Sequence, residues 1–189
     1  MTKIILASGS FLKKFIMDNS RLPYEVVAAD IDESVYDNLD VSERVVKLAT
    51  DKCAKVAEIH PDSFIIAADT LTADETGLVY TKLTGDDDPF QAALRLSGQT
   101  IGVFTGCAVY TPGVGVESVL STAVIRYQSF TEENLRRLAS DDNPSIRSGA
   151  LGIFYDAPGF TLIEHIEGSY TGAFGLPMEF VYKQLVDAQ

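Results

Sequence analysis

Two cysteines, two histidines and no tryptophan among 189 residues leave little material for thiol or imidazole chemistry. Cys53 and Cys107 sit in apolar surroundings and read as reduced, buried thiols rather than a disulfide or metal pair. No Cys-x-x-Cys occurs, and His60 and His165 are too few for a histidine-built zinc site. Positive charge is scarce as well. Fifteen Lys and Arg against 27 Asp and Glu give a formal net charge of -12. That balance excludes broad binding to nucleic acid or to an anionic membrane, since both need a positive field. A phosphate ligand would have to meet a local lysine cluster or a divalent cation. There is no apolar run long enough to span a membrane, and Ile4-Ile5-Leu6-Ala7 is too short for a signal peptide. A cytoplasmic protein is expected. No internal repeat, linker or low-complexity tract divides the chain, and 46% hydrophobic content suffices for a sizeable core. We therefore expect one domain over residues 1–189, of mixed α/β type, with room for two lobes.

Among what is there, Phe64-Ile65-Ile66-Ala67-Ala68-Asp69-Thr70 stands out as an apolar run that stops at an acid and a hydroxyl. Continuous and short, it reads as a strand buried on both faces, with Asp69 and Thr70 presented at its carboxyl end, where open α/β sheets bind ligands. Lys3 to Ala7 reads as a first buried strand, followed by Ser8-Gly9-Ser10 and a helix with Leu12, Phe15 and Ile16 at helical spacing, N-capped by Ser10. Strand, small loop and helix start form an anion cradle: backbone N–H groups and the helix dipole face the loop, with Ser8, Ser10 and Lys13 as further donors. It is not a Walker loop, whose spacing the chain lacks.

Leu22 to Ala29 is a second extended segment, ending in the acids Asp30, Asp32 and Glu33, which form a polar turn or offer a carboxylate to a hard cation. Asp40 to Glu43 resembles a capping box, and Val45, Leu48, Ala49, Cys53 and Val56 then mark the buried face of a helix. Lys52 lies on that same face, so it must snorkel, neutralise or meet an anion. Residues 71–80 read as a strand and hairpin turning at Glu75-Thr76-Gly77. A helix follows from Asp88 and Pro89 to Leu96, closed at Gly98. Long strands at 100–110 and 116–127 flank a hairpin loop. Residues 130–140 form a short helix with Leu135 and Leu138 inward, 160–166 a strand, 168–175 a flexible loop, and Leu176-Pro177 opens a terminal helix.

Taken together, these stretches resemble the Maf, or septum-formation-type, nucleotide pyrophosphatases over almost the whole chain. The resemblance is carried by Leu6-Ala7-Ser8-Gly9-Ser10, Asp32-Glu33-Ser34, Leu48-Ala49-x-x-Lys52, Ala68-Asp69-Thr70, Lys82, Leu96-Ser97-Gly98, Thr105-Gly106, Gly168-Ser169-Tyr170 and Gly175-Leu176-Pro177. It implies a long twisted mixed sheet flanked by helices with a cleft between two lobes, often dimeric. It also implies hydrolysis of nucleoside triphosphates to the monophosphate and pyrophosphate with magnesium or manganese. On that footing Glu33 and Asp69 hold the cation, or Asp69 acts as general base with Glu33 as principal ligand. Lys52 and Lys82 complete the catalytic set, while Ser8, Ser10, Lys13, Thr70, Arg147 and Ser169 bind substrate. The chain departs from the family pattern where Phe11-Leu12-Lys13 replaces Pro-Arg-Arg, where Thr81 and Leu83 flank Lys82, and at Arg147, Phe154 and Gly172. Leu12 and Phe154 fall at expected base-reading positions, so base preference does not carry over; their apolar character suits packing against a modified base. These departures motivate a second reading, a nucleotide-binding or regulatory protein of weakened turnover. A phosphatase with Asp69 as nucleophile would need a second acid where Leu71 stands.

Overall fold

The architecture is built around a strand twice as long as its apolar run suggests. In a computed structural model that describes residues 2–80, 88–138 and 161–187, β3 spans Phe64–Asp74 and carries Asp69 in its middle. The expectation that Asp69 and Thr70 end the strand is therefore corrected. Antiparallel pairing with β5 (Thr100–Thr111) continues straight through the polar residues, Asp69 opposite Gly106 and Thr70 opposite Thr105. Ladder hydrogen bonds along a long partner outweigh the local loss of apolar character.

Around β3 lie β1 (Ile4–Leu6) and β2 (Glu25–Val26), both parallel, with β6 (Gly115–Tyr127) and β7 (Ile163–Gly168) extending the other side antiparallel. A short strand, β4 (Val79–Tyr80), pairs with β3 at Thr72 and Ala73 and completes the seven-stranded mixed sheet. The resulting order is β2-β1-β3-β5-β6-β7. Because β1 pairs with β3 only at residues 64–66 and β4 only at 72–73, the β3 edge between them has no strand partner among the described residues. That gap is where the cavity described below lies.

Helices cover both faces. Helix α2 (Val41–Ile59) presents Ala49, Cys53 and Val56 to Ile5, Ile65, Ala67 and Ala108. Its start follows the sequence, since the Asp40 carboxylate accepts from Ser42 N and Glu43 N. On the opposite face α1 (Phe11–Ser20) and the terminal helix α6 (Met178–Asp187) bury Met17, Met178 and Val181 against Leu6, Ile66 and Ala68. A third cluster joins α3 (Pro89–Leu94) and α4 (Glu132–Leu138) to Ile101, Val103, Ile125 and Tyr127. Residues 168–175 are not simply a loop: Tyr170–Ala173 make a helical turn, α5, capped by Ser169, whose hydroxyl accepts from Gly172 N at 2.9 Å. The turn at Glu33–Tyr36 is a 3-10 segment capped by Asp32. The anticipated features at 139–160, Leu138's inward side chain and Lys82 fall outside the described residues. Cys53 and Cys107 are free and buried; burial pushes the Cys53 thiol up to about 12 and raises Cys107 also.

Candidate active site

Where β1 ends and β3 runs on, Ser8-Gly9-Ser10 turns the chain into α1 and opens a cavity of about 410 Å³. Its wall includes Ser8, Gly9, Ser10, Lys13, Glu33, Lys52 and Asp69, with Ala28 and Ala29 from the segment after β2. Strand alternation explains how charged groups from both faces reach one place. Asp69 follows Ile65 and Ala67 onto the α2 side, where Lys52 waits. Lys13, on α1, approaches from the other face across the unpaired edge. The lysine pair thus brackets the sheet edge.

Lys52 is the hub. Its Nζ lies 2.7 Å from Asp69 Oδ1 and 2.7 Å from Glu33 Oε1. The Lys52 and Asp69 side chains are 11% and 13% exposed, against 47% for Glu33, so one carboxylate is fixed in the sheet and the other rides on a surface turn. For the Lys52 pKa, burial is the largest single influence and pulls downward. The charges and hydrogen bonds of Asp69 and Glu33 together outweigh it and hold the ammonium above its ordinary 10.5. Lys52 is therefore a cation at neutral pH and supplies charge, not a lone pair.

The cradle is arranged as a donor set. Ser10 is the N-cap of α1 by backbone geometry, yet its side chain makes no capping hydrogen bond. Its N–H donates to Ser8 Oγ at 3.2 Å, which leaves the Ser8 hydrogen for another acceptor. Lys13 is 8% exposed, with its ammonium against Gly175, where a Cβ would lie 3.4 Å from Nζ.

Among the described residues, no three His, Cys, Asp or Glu side chains gather as a complete metal cage. Glu33 and Asp69 each turn one oxygen to Lys52 and, among the described residues, keep the second without a protein partner. That donor set fits magnesium or manganese, which take one or two carboxylates and fill the remaining positions with water and phosphate oxygens.

Of the residues expected from sequence, Ser8, Ser10, Lys13, Glu33, Lys52 and Asp69 come together. Thr70 and Ser169 do not line the cavity. The Thr70 hydroxyl lies 3.1 Å from that of Thr105, and Ser169 caps α5. Lys82, Arg147 and Phe154 lie outside the described residues. Leu12 is buried, and the wall takes Phe11 and Lys13 on either side of it, so Leu12 packs inward and does not face a base. Three contributors carried no signal of their own. Tyr36 donates its hydroxyl to Asp51 on α2, and Arg44 binds Asp37 at 2.7 Å; both pin the Glu33 turn to the helix that carries Lys52. Thr105 is the third, and only its place beside Gly106 in the family pattern pointed to it.

Residues 3–188 match the model of the family described as Maf-like protein. The chain is 30% identical over 185 residues to the dTTP/UTP pyrophosphatase of Bacillus cereus strain G9842, covering 98% of this chain and 95% of that protein. It is 31% identical over 185 residues to the protein of the same name from Halalkalibacterium halodurans, with the same two coverages, 98% and 95%. Among solved structures, a nucleoside-triphosphatase / dITP/XTP pyrophosphatase of Mycobacterium abscessus is similar at a TM-score of 0.41 and 16% identity, over 67% of this chain and 74% of that one. A likeness that slight carries no argument.

Proposed function

The chain belongs to the Maf-like protein family, and from that premise we propose that it is a nucleoside triphosphate pyrophosphatase, releasing pyrophosphate and the nucleoside monophosphate. The observation that carries this reading is the convergence of two carboxylates and two lysines on one cavity beside a serine-glycine-serine loop. A polyphosphate needs cations on several sides, and on a chain of net charge -12 they must be local.

In the proposed mechanism Lys52 holds Glu33 and Asp69 close together, and its ammonium offsets charge that develops on the α-phosphate. Asp69, rigid within the sheet, is the group suited to take the proton of the attacking water. Lys13, Ser8 and the loop N–H groups receive the distal phosphates at the start of α1. A magnesium or manganese ion held by Glu33 and Asp69 would polarise a phosphoryl oxygen and make a bound water more acidic. Lys82, as a member of the catalytic set, and Arg147, as a substrate contact, are proposed on the family pattern alone.

A panel of nucleoside triphosphates with magnesium or manganese tests the reading, beginning with dTTP and UTP because the relatives carry those names. The expected products are pyrophosphate and monophosphate, with Asp69→Asn slowing release about 10²- to 10³-fold. Tight binding by the wild-type protein with no release would overturn it in favour of the nucleotide-binding alternative. A wide preference for an unmodified pyrimidine triphosphate would retire the idea of a modified base.

A further inference from the structure

Thr105 is wholly buried, yet its hydroxyl is the link between the β3 edge and the α5 turn. Thr105 Oγ1 donates to the carbonyl oxygen of Gly172 at 2.9 Å. A carbonyl can only accept and a threonine hydroxyl has one hydrogen, so the Thr105 proton is committed there. In the 3.1 Å contact between Thr70 Oγ1 and Thr105 Oγ1, Thr70 must therefore be the donor. What Thr70 offers outward is then lone pairs alone.

The Thr70 oxygen and the Lys13 ammonium both border the space over Gly175. A Cβ built on Gly175 would sit 3.0 Å from Thr70 Oγ1 and 3.4 Å from Lys13 Nζ. Gly175, at φ +100°, adopts a conformation that other residues rarely take, and its missing side chain lets the two groups share one space. A hydroxyl with no hydrogen to give is a poor partner for a phosphate oxygen and a good one for a lysine. We propose that Thr105 is a positioning residue: by taking the Thr70 hydrogen it makes Thr70 an acceptor for Lys13, which aims the Lys13 ammonium at the anion cradle.

The proposal rests on the cavity being a polyphosphate site, so the test reads binding of inorganic tripolyphosphate by calorimetry, apart from turnover. Thr105→Val keeps the shape and removes the hydroxyl; Thr105→Ser keeps the hydroxyl. The valine variant should bind roughly five- to tenfold more weakly, about the net worth of one hydrogen bond. Serine should restore affinity to within about twofold, and in a Lys13→Met background Thr105→Val should change it by less than about twofold. Thr70→Val should give the same Lys13-dependent loss and serves where Thr105→Val fails to fold by thermal unfolding. A Thr105→Val or Thr70→Val effect undiminished in the Lys13→Met background would overturn the relay, as would no tripolyphosphate binding by the wild-type protein. Pyrophosphate release from nucleoside triphosphates is assayed in parallel. Its absence alongside the expected cycle would sink the proposed activity while supporting the relay.

Discussion

At Lys52 two effects of opposite sign compete, and the outcome fixes what the residue can do. Burial disfavours the ammonium, but two carboxylates within 2.7 Å more than compensate, so the folded pKa lies above the ordinary 10.5. A group with a raised folded pKa contributes stability that is fully present below its unfolded value and is lost as pH rises through the folded one. The stability difference between wild type and Lys52→Met should therefore stay flat from about pH 7 to about pH 9.5 and shrink only above that range, as read by denaturant unfolding. A difference that already falls between pH 7 and 9 would contradict the assignment. In turnover, Lys52→Met should cost about 10²- to 10³-fold in kcat, the magnitude seen when one preorganised charge donor is removed. This residue was legible in the sequence because a lysine on an apolar helical face calls for an anion. Thr105 was not, since nothing in a threonine's neighbours along the chain says which carbonyl it will meet across the fold. Leu12 misled for a related reason: its position in the family pattern suggested a base contact, whereas helix α1 turns it inward.

Elements, rather than residues, decide how Lys52 reaches Asp69. Helix α2 lies so close to β5 that a Cβ on Gly106 would meet the Val45 carbonyl oxygen at 2.1 Å. Gly106→Ala must push the helix off the sheet and, with it, Lys52 two turns further along. We expect a loss of about 1–3 kcal/mol in unfolding free energy together with reduced turnover. Unchanged stability and activity would show that the helix has more freedom than its packing suggests. Replacing the cap, Asp40→Ala, should cost about 1 kcal/mol in the same unfolding measurement while leaving Lys52 in place. The capped helix and its apolar stripe were readable because both signals are local. The true length of β3 was not, because an Asp-Thr pair after an apolar run looks like a strand end until β5 is seen to pair beyond it. The α5 turn escaped for a similar reason, being four residues with a glycine, held by one serine cap.

For the molecule as a whole, the acidic surface and the lysine-lined cavity work against each other, and in the proposed mechanism a divalent cation would reconcile them. Stripping metal with a chelator should abolish turnover, with magnesium or manganese restoring it and sodium chloride of equal ionic strength failing to. Full activity after exhaustive chelation would remove the cation from the account. The meeting of Lys13 and Lys52 from opposite faces is a property of topology: β1 ends early, β4 joins late, and the gap between them admits both side chains. Sequence order could suggest which residues belong together but not that an unpaired strand edge would bring them to one cavity. The most direct test of that cavity's chemistry is hydrolysis of a nucleoside triphosphate in heavy-oxygen water, with the products separated by mass spectrometry. Attack at the α-phosphate places the label in the monophosphate and leaves pyrophosphate unlabelled, which is the predicted result. Label in pyrophosphate, or release of orthophosphate and the diphosphate, would contradict it.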